Sequence, residues 1–165
     1  MINRKKVAHS VLLLTLVATF AACTQQRNPC LEPSQYYLRL KTMTAADTGS
    51  AGIEFTLPAA TAGFVDTPIV FYTDTVERKE LLGPLSGIAD SVRWFILPDS
   101  ANVAGMDTVT FYYERKLHFL STACGYTYVY ALWQINTTHN SIDSARIESA
   151  EVTNDPNITH VKIFY

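Results

Sequence analysis

The chain has 165 residues, 48% of them hydrophobic, and its 13 Lys and Arg against 15 Asp and Glu give a net charge of −2. Nucleic acid is not an expected partner for such a chain, because binding to phosphates is driven by clustered basic residues. At this length we expect one domain with one hydrophobic core.

The N-terminal segment is organised like a secretion signal. Three basic residues at positions 4–6 precede an apolar run from Val11 to Ala22, which is too short to span a bilayer permanently. The segment ends in Phe20-Ala21-Ala22-Cys23, which resembles the lipobox of bacterial lipoproteins, with Phe at the position where Leu is commoner. We therefore predict that residues 1–22 are a signal peptide and that Cys23 is lipidated. The alternative is an ordinary signal peptide followed by a chance cysteine.

Lipidation of Cys23 predicts a protein that is tethered to a membrane through its N-terminus, since several acyl chains together anchor a protein stably. Residues 23–33 are largely polar and contain proline, as expected of a linker, and residues 34–165 form the predicted domain. Without residues 1–22 the chain has 143 residues. It then carries 10 Lys and Arg against 15 Asp and Glu, a net charge of −5.

Two cysteines remain for pairing once Cys23 is lipidated. Cys30 and Cys124 would lie in a compartment that permits disulfides, so we predict that they form one. A metal site and a reactive thiol are the competing interpretations. Two distant cysteines without a CxxC pair or clustered histidines match no common metal-ligand spacing, so we expect no metal and no other cofactor.

Short runs rich in β-branched and aromatic residues, separated by Gly, Pro, Asp and Asn, predict an all-β fold. We expect a single-domain antiparallel β-sandwich with the general architecture of an immunoglobulin domain. Loops are expected at residues 44–50 and 99–105. The predicted strands cover residues 36–43, 52–57, 68–75, 91–97, 107–115, 116–122, 126–135, 142–152 and 159–165.

Alternation along these strands predicts which side chains face the core. Val109, Phe111 and Tyr113 share one face, while the residues between them share the other. Residues 36, 38 and 40 of the first strand follow the same rule. The pattern continues in the last strand to Tyr165, so we expect the C-terminus to be a paired strand.

Three tyrosines, Tyr126, Tyr128 and Tyr130, lie at every second position of one predicted strand and therefore share a face. They are a candidate binding face, because a sugar or peptide stacks well on such rings. The alternative is a core or cross-strand ladder of aromatic side chains, which is the commoner arrangement.

Several segments resemble an uncharacterised family of small Bacteroidota lipoproteins, a domain of unknown function. They are Asp107-Thr108-Val109-Thr110-Phe111, Cys124-Gly125-Tyr126, His160-Val161-Lys162-Ile163 and the early Cys30-Leu31-Glu32-Pro33. The resemblance implies an envelope location and supports the pairing of Cys30 with Cys124, but it implies no mechanism. Residues 24–27 lack the acidic side chains that signal surface export in such bacteria. The resemblance therefore implies an outer-membrane lipoprotein that faces the periplasm.

Asp followed by Ser or Thr and an aliphatic residue occurs several times, and this triplet resembles the O-glycosylation acceptor of Bacteroidota. Thr75 and Ser100 are the candidate acceptors, because both are expected in exposed turns. Asp before a β-branched residue is also a common way for a strand to begin after a turn.

No hydrolase motif or phosphate-binding loop is present, and His118, His139 and His160 are far apart in sequence. We therefore expect a non-enzymatic, lipid-anchored envelope protein that binds another envelope component, such as an outer-membrane β-barrel. The alternative is a surface-exposed lipoprotein that binds glycans or peptides through the tyrosine face and the 99–105 loop.

Overall fold

The computed structural model describes residues 30–31, 35–44, 53–73 and 79–165, which form ten strands and one short 3₁₀ helix, Val103–Gly105. No helix in this part of the chain has the length and apolar character needed to cross a bilayer. The strands are β1 (Tyr37–Met43), β2 (Thr61–Phe64), β3 (Val70–Thr73), β4 (Glu80–Pro84), β5 (Ser91–Leu97), β6 (Asp107–Ser121), β7 (Gly125–Thr137), β8 (Ser144–Ile147), β9 (Glu151–Val152) and β10 (Val161–Phe164).

The strands form two sheets that pack as a sandwich, which confirms the predicted all-β fold. One sheet has four strands in the order β4-β1-β10-β8, and the other has six in the order β3-β2-β5-β6-β7-β9. Strands β1 and β10 run parallel, whereas the other paired strands run antiparallel. The sheets also approach each other at their edges, where β8 contacts β7 and β3 contacts β4.

Trp94 occupies the middle of the core and contacts both sheets. Its ring packs edge-to-face against Phe71 and Phe111, with centroids 4.8 and 4.7 Å apart. On the opposite sheet it lies against Gly83, where an added Cβ would be 2.6 Å from the indole ring. The glycine is therefore what makes room for the largest core side chain.

The predicted core-facing positions are confirmed. Val109, Phe111 and Tyr113 are buried, as are Leu38 and Leu40 of β1. The C-terminal strand is paired on both sides, with β1 and with β8. The backbone N–H of the last residue donates to the carbonyl of Met43 at 3.0 Å, so the strand is held to its end.

One expected strand is wrong, and two strands of the structure, β2 and β4, were not expected. The expected strand at 52–57 is wrong, because residues 53–57 contribute isolated bridges such as Glu54 with Met43. The chain instead enters the six-stranded sheet at Thr61–Phe64, after Pro58, which has no N–H to donate. Strand Glu80–Pro84 was also missed, because its Gly-Pro ending is more typical of a turn.

Strand boundaries differ in two further places. The expected strands 107–115 and 116–122 are one continuous strand, β6. The expected strand 142–152 is two strands in different sheets, β8 and β9. The chain leaves the ladder between them because the N–H groups of Glu148 and Ser149 both donate to the carbonyl of His160, at 2.8 and 3.2 Å.

Candidate functional site

The hairpin of β6 and β7 extends beyond the sandwich. These strands have 15 and 13 residues, and they pair from Val109 with Thr137 to Ser121 with Gly125. Strand β5 pairs with β6 only as far as Tyr112, and β9 pairs with residues 130–131 of β7. Among the described strands, β7 is therefore the one that pairs with residues 114–121 of β6. The far half of the hairpin is a two-stranded ribbon.

One face of this ribbon carries four exposed apolar or aromatic side chains, which we call the tip patch. Phe119 pairs with Tyr126 and Leu117 pairs with Tyr128 across the ladder. The rings of Phe119 and Tyr126 lie 5.1 Å apart. Leu117, Phe119, Tyr126 and Tyr128 are 62%, 50%, 65% and 37% exposed.

The three tyrosines of the predicted binding face have different environments. Tyr130 is only 7% exposed and packs edge-to-face against Tyr113. It is therefore a core side chain and not part of the candidate binding face. Burial raises the pKa of Tyr130, and it raises the pKa of Tyr113 to about 12. The Tyr113 hydroxyl accepts from the N–H of Ser86 at 2.9 Å and donates to its carbonyl at 3.2 Å. Only Tyr126 and Tyr128 remain available on that face.

Arg115 fixes the base of the ribbon to the loop before β5. Its Nε donates to Asp90 at 2.7 Å, and another of its nitrogens donates to the carbonyl of Gly87 at 2.6 Å. The guanidinium carbon also lies 5.7 Å from the centre of the Tyr128 ring. The tip patch therefore begins where these contacts with the sandwich end.

The predicted disulfide is present at the end of the ribbon. Cys30 and Cys124 are bonded, with their Cα atoms 4.9 Å apart and a sequence separation of 94. Cys124 lies in the turn of the hairpin and is followed by Gly125, whose φ of +72° is readily adopted by glycine. The bridge thus places the start of the described chain at the hairpin tip.

The outer face of the six-stranded sheet carries a second aromatic surface, which we call the Trp133 platform: Thr110, Tyr112, Trp133, Gln134 and Asn136. The register of β7 against β6 shifts by one residue at Trp133, which makes it the extra residue of a β-bulge. Its ring is 59% exposed and lies 5.3 Å from that of Tyr112. Beside it, the Gln134 amide donates to Asn136 Oδ1 at 3.1 Å. An aromatic ring next to exposed amides can stack on a planar ligand and hydrogen-bond to it.

Asp107, at the start of β6, is buried and organises the loop at 138–142. Its carboxylate accepts hydrogen bonds from the Thr138 hydroxyl at 2.7 Å and from the backbone N–H groups of Asn140, Ser141 and Ile142 at 2.7 to 2.8 Å. These four donors satisfy the carboxylate without a cation. We therefore assign Asp107 a structural role.

The family profile described as "Family of unknown function (DUF6452)" matches residues 59–165. The chain belongs to this family. No curated protein and no solved structure matches the chain. The DUF6452 region contains the tip patch, the Trp133 platform and Cys124, whereas Cys23 and Cys30 precede it.

The remaining predicted site residues of this DUF6452 protein are Cys23, Thr75 and Ser100. Cys23 and Thr75 are outside the described residues. Ser100 is exposed in the loop before the 3₁₀ helix, and its backbone N–H donates to the carbonyl of Ala59 at 3.2 Å. Its hydroxyl is thus accessible, and glycosylation of Thr75 or Ser100 stays a prediction.

The three histidines of the domain are not brought together. His118 is exposed on the ribbon, and Nδ1 of His139 lies 3.1 Å from the carbonyl of Ile142. His160 is buried, with the N–H of Arg39 at 2.9 Å from Nδ1 and the N–H of Thr153 at 3.1 Å from Nε2. Burial first, and then the nearby positive charge of Arg39, lower the pKa of His160. Within the described ranges, no three His, Cys, Asp or Glu side chains are grouped as a metal site.

Sequence reasoning missed the Trp133 platform and the role of Asp107. The platform depends on a bulge, and the register of two strands is not visible in either strand alone. The one available signal was Gln134 and Asn136, two polar residues at alternate positions after Trp133. For Asp107 the loop it binds lies more than thirty residues later in sequence.

Proposed function

We propose that this protein is a non-enzymatic, lipid-anchored component of the bacterial cell envelope that is attached through Cys23, faces the periplasm and binds another envelope component. The observation that carries the proposal is the bridge between Cys30 and Cys124. Structural disulfides persist in exported proteins and are rare in reducing cytosol. The basic start, the apolar run and the Ala21-Ala22-Cys23 ending supply the corresponding export signal.

The proposed partner-binding surface is the Trp133 platform. Exposed aromatic side chains are enriched at protein interfaces, where they bury a large area at a low entropic cost. The partner we expect is an outer-membrane β-barrel or another envelope protein. The membrane location, the lipoprotein class and the Bacteroidota origin are parts of this proposal.

The anchor is tested in cells with a fatty acid that carries a clickable group. The wild-type protein should be labelled and should fractionate with the membranes, whereas Cys23→Ala should lose the label. Cys30→Ala is the matched control for loss of a cysteine and should still be labelled. Labelling of Cys23→Ala, or no labelling of the wild type, would contradict the proposed anchor.

The partner is tested with a photo-crosslinking residue at position 133 in intact cells. Leu82, which is exposed on the four-stranded sheet, gives the control position. We expect a discrete crosslink to one envelope protein from position 133 and none from position 82. The proposal fails if both positions give the same products. External protease that releases the domain from intact cells would refute the periplasmic orientation.

A second candidate function is glycan or peptide binding by a surface-exposed lipoprotein, and the exposed Trp133 beside two amides favours it. The protein has two tryptophans, and Trp94 is buried in the core. A ligand that stacks on the platform should therefore change the fluorescence of Trp133 alone. Oligosaccharides should shift the emission of the wild type and not that of Trp133→Phe. An unchanged wild-type spectrum across an oligosaccharide panel would contradict saccharide binding at the platform.

A further inference from the structure

We propose that the tip patch rests on the surface of the bilayer that holds the lipid anchor, with its aromatic side chains at the boundary between headgroups and acyl chains. The patch consists of Leu117, Phe119, Tyr126 and Tyr128, as defined above. The inference rests on the proposed lipidation of Cys23. It adds an orientation: the hairpin tip points toward the membrane and the Trp133 platform remains free for a partner.

A short linker limits how far the lipid anchor can lie from the hairpin tip. Cys30 follows Cys23 by seven residues, and seven extended residues span at most about 25 Å. The disulfide fixes Cys30 to Cys124 in the turn of the hairpin. The anchor therefore cannot move farther from the hairpin tip than this short linker allows, whereas the far end of the sandwich is free of that restraint.

The side chains of the tip patch are of the kinds found at membrane surfaces. Tyrosine is enriched at membrane–water interfaces because its ring is apolar and its hydroxyl is polar, and leucine and phenylalanine bury well in the acyl region. The tip patch contains two tyrosines, one phenylalanine and one leucine, all on one face. An apolar face of this kind, which neither sheet of the described residues covers, is typical of an interaction surface.

The segment that carries the tip patch contains no acidic residue. Residues 115–133 contain Arg115, Lys116 and His118 and no Asp or Glu, although the chain as a whole has a net charge of −2. Lys116 lies on the opposite face of the ribbon from the patch, with its side chain 72% exposed and its Nζ 3.8 Å from the carboxylate of Glu114. Residues 115–133, which carry the tip patch, add no acidic side chain that anionic headgroups would repel, and the adjacent Glu114 is paired with Lys116. A membrane fits these three observations together, because a soluble partner would not require the tip to be tied to the anchor.

The contact is tested by the depth of an indole placed in the patch. Phe119→Trp is made in a Trp133→Phe background, so that the remaining Trp94 is buried. The lipidated protein is reconstituted in vesicles of phosphatidylethanolamine and phosphatidylglycerol that contain brominated acyl chains. We expect a blue-shifted emission and quenching that is several-fold stronger than for the control Leu82→Trp. Adding Leu117→Asp to the test variant should remove that difference.

A second arm separates this inference from the proposed anchor. The mature Cys23→Ala chain, with an N-terminal histidine tag, is tethered to the same vesicles through a nickel-chelating lipid. If the natural protein proves not to be lipidated, the proposed anchor fails, but quenching in this arm still tests the contact. Equal quenching at positions 119 and 82 in this arm would overturn the inference. A concentration-dependent blue shift without vesicles would also overturn it and would assign the patch to a second copy of the chain.

Discussion

The two halves of strand β6 show how one sequence pattern can serve two purposes. Val109 and Phe111, in the first half, are buried between the sheets, whereas Leu117 and Phe119, in the second half, are exposed. All four residues lie on the same face of the strand, because the alternation continues through its length. The difference is that the four-stranded sheet covers the first half and not the second.

This contrast separates the side chains that stabilise the fold from those available for binding. An apolar side chain in the sandwich contributes the free energy of its removal from water, but one in the tip patch leaves 37% to 65% of its surface in water. We therefore expect the sandwich and the ribbon to respond differently to the same substitution.

Removal of the disulfide should have the largest effect on stability. In the chain-entropy model, a disulfide between cysteines with a sequence separation of 94 stabilises the folded state by about 4 to 5 kcal/mol. Cys30→Ser with Cys124→Ser should lower the free energy of unfolding by up to that amount, measured by urea denaturation. The near-ultraviolet circular dichroism of the native protein should persist, because the core around Trp94 does not include the bridge. Loss of that signal would mean that the sandwich depends on the ribbon.

Truncation of one phenylalanine in each half compares the two regions directly. Phe111→Ala should reduce the free energy of unfolding by about 3 to 5 kcal/mol, because it leaves a cavity beside Trp94. Phe119→Ala removes only the pairing with Tyr126 and should reduce it by about 1 kcal/mol or less. Urea denaturation of both variants checks this, and equal losses would refute the division between sandwich and ribbon.

Asp107→Asn tests a polar anchor within the sandwich. The N–H₂ group of the new amide would face backbone N–H groups whose hydrogen bonds the carboxylate now accepts. We therefore expect the free energy of unfolding to fall by about 2 to 3 kcal/mol. Asp99→Asn is the matched control, because that carboxylate accepts from the N–H of Ala101 in an exposed turn. In thermal unfolding, the melting temperature of Asp107→Asn should be clearly lower than that of Asp99→Asn. A control as unstable as Asp107→Asn would contradict the role given to Asp107.

The smallest effect that we predict is a loss of stability in mild acid caused by His160. Its pKa in the folded protein lies below the ordinary value of 6.5, so in the window between these values the unfolded chain binds more protons. The free energy of unfolding should therefore be fully retained above pH 6.5 and should fall as the pH decreases toward the folded pKa. His160→Asn should flatten this dependence, whereas His118→Asn, at an exposed position, should not.

The sequence predicted the parts of the fold whose pattern is local. Alternating apolar residues identified β1, β6 and β10 with their core faces, the composition of residues 91–97 identified β5, and the cysteine count identified the disulfide. Strands β2 and β4 were missed because their position depends on close packing elsewhere. Gly63 and Gly83 lie in them, and a Cβ there would come within 2.5 Å of Phe95 and 2.6 Å of Trp94. Such glycines look like turn residues until the neighbouring strand is known.

The candidate site was predicted only in part, for a related reason. The three tyrosines do lie at alternate positions of one strand, but burial depends on where the opposite sheet ends, and the alternation of a single strand does not contain that information. Tyr130 lies under the sheet and Tyr126 beyond it. The Trp133 platform required a register shift between two strands, which only the paired structure reveals.

The proposed location of the protein and the orientation of its hairpin tip both follow from a lipid at Cys23. The measurement that tests it is mass spectrometry of the N-terminal peptide from protein purified out of the membrane fraction. We predict a mature chain that begins at Cys23 and carries a diacylglyceryl thioether with an amide-linked acyl group. A mature chain that begins at another residue, or one that begins at an unmodified Cys23, would contradict the account.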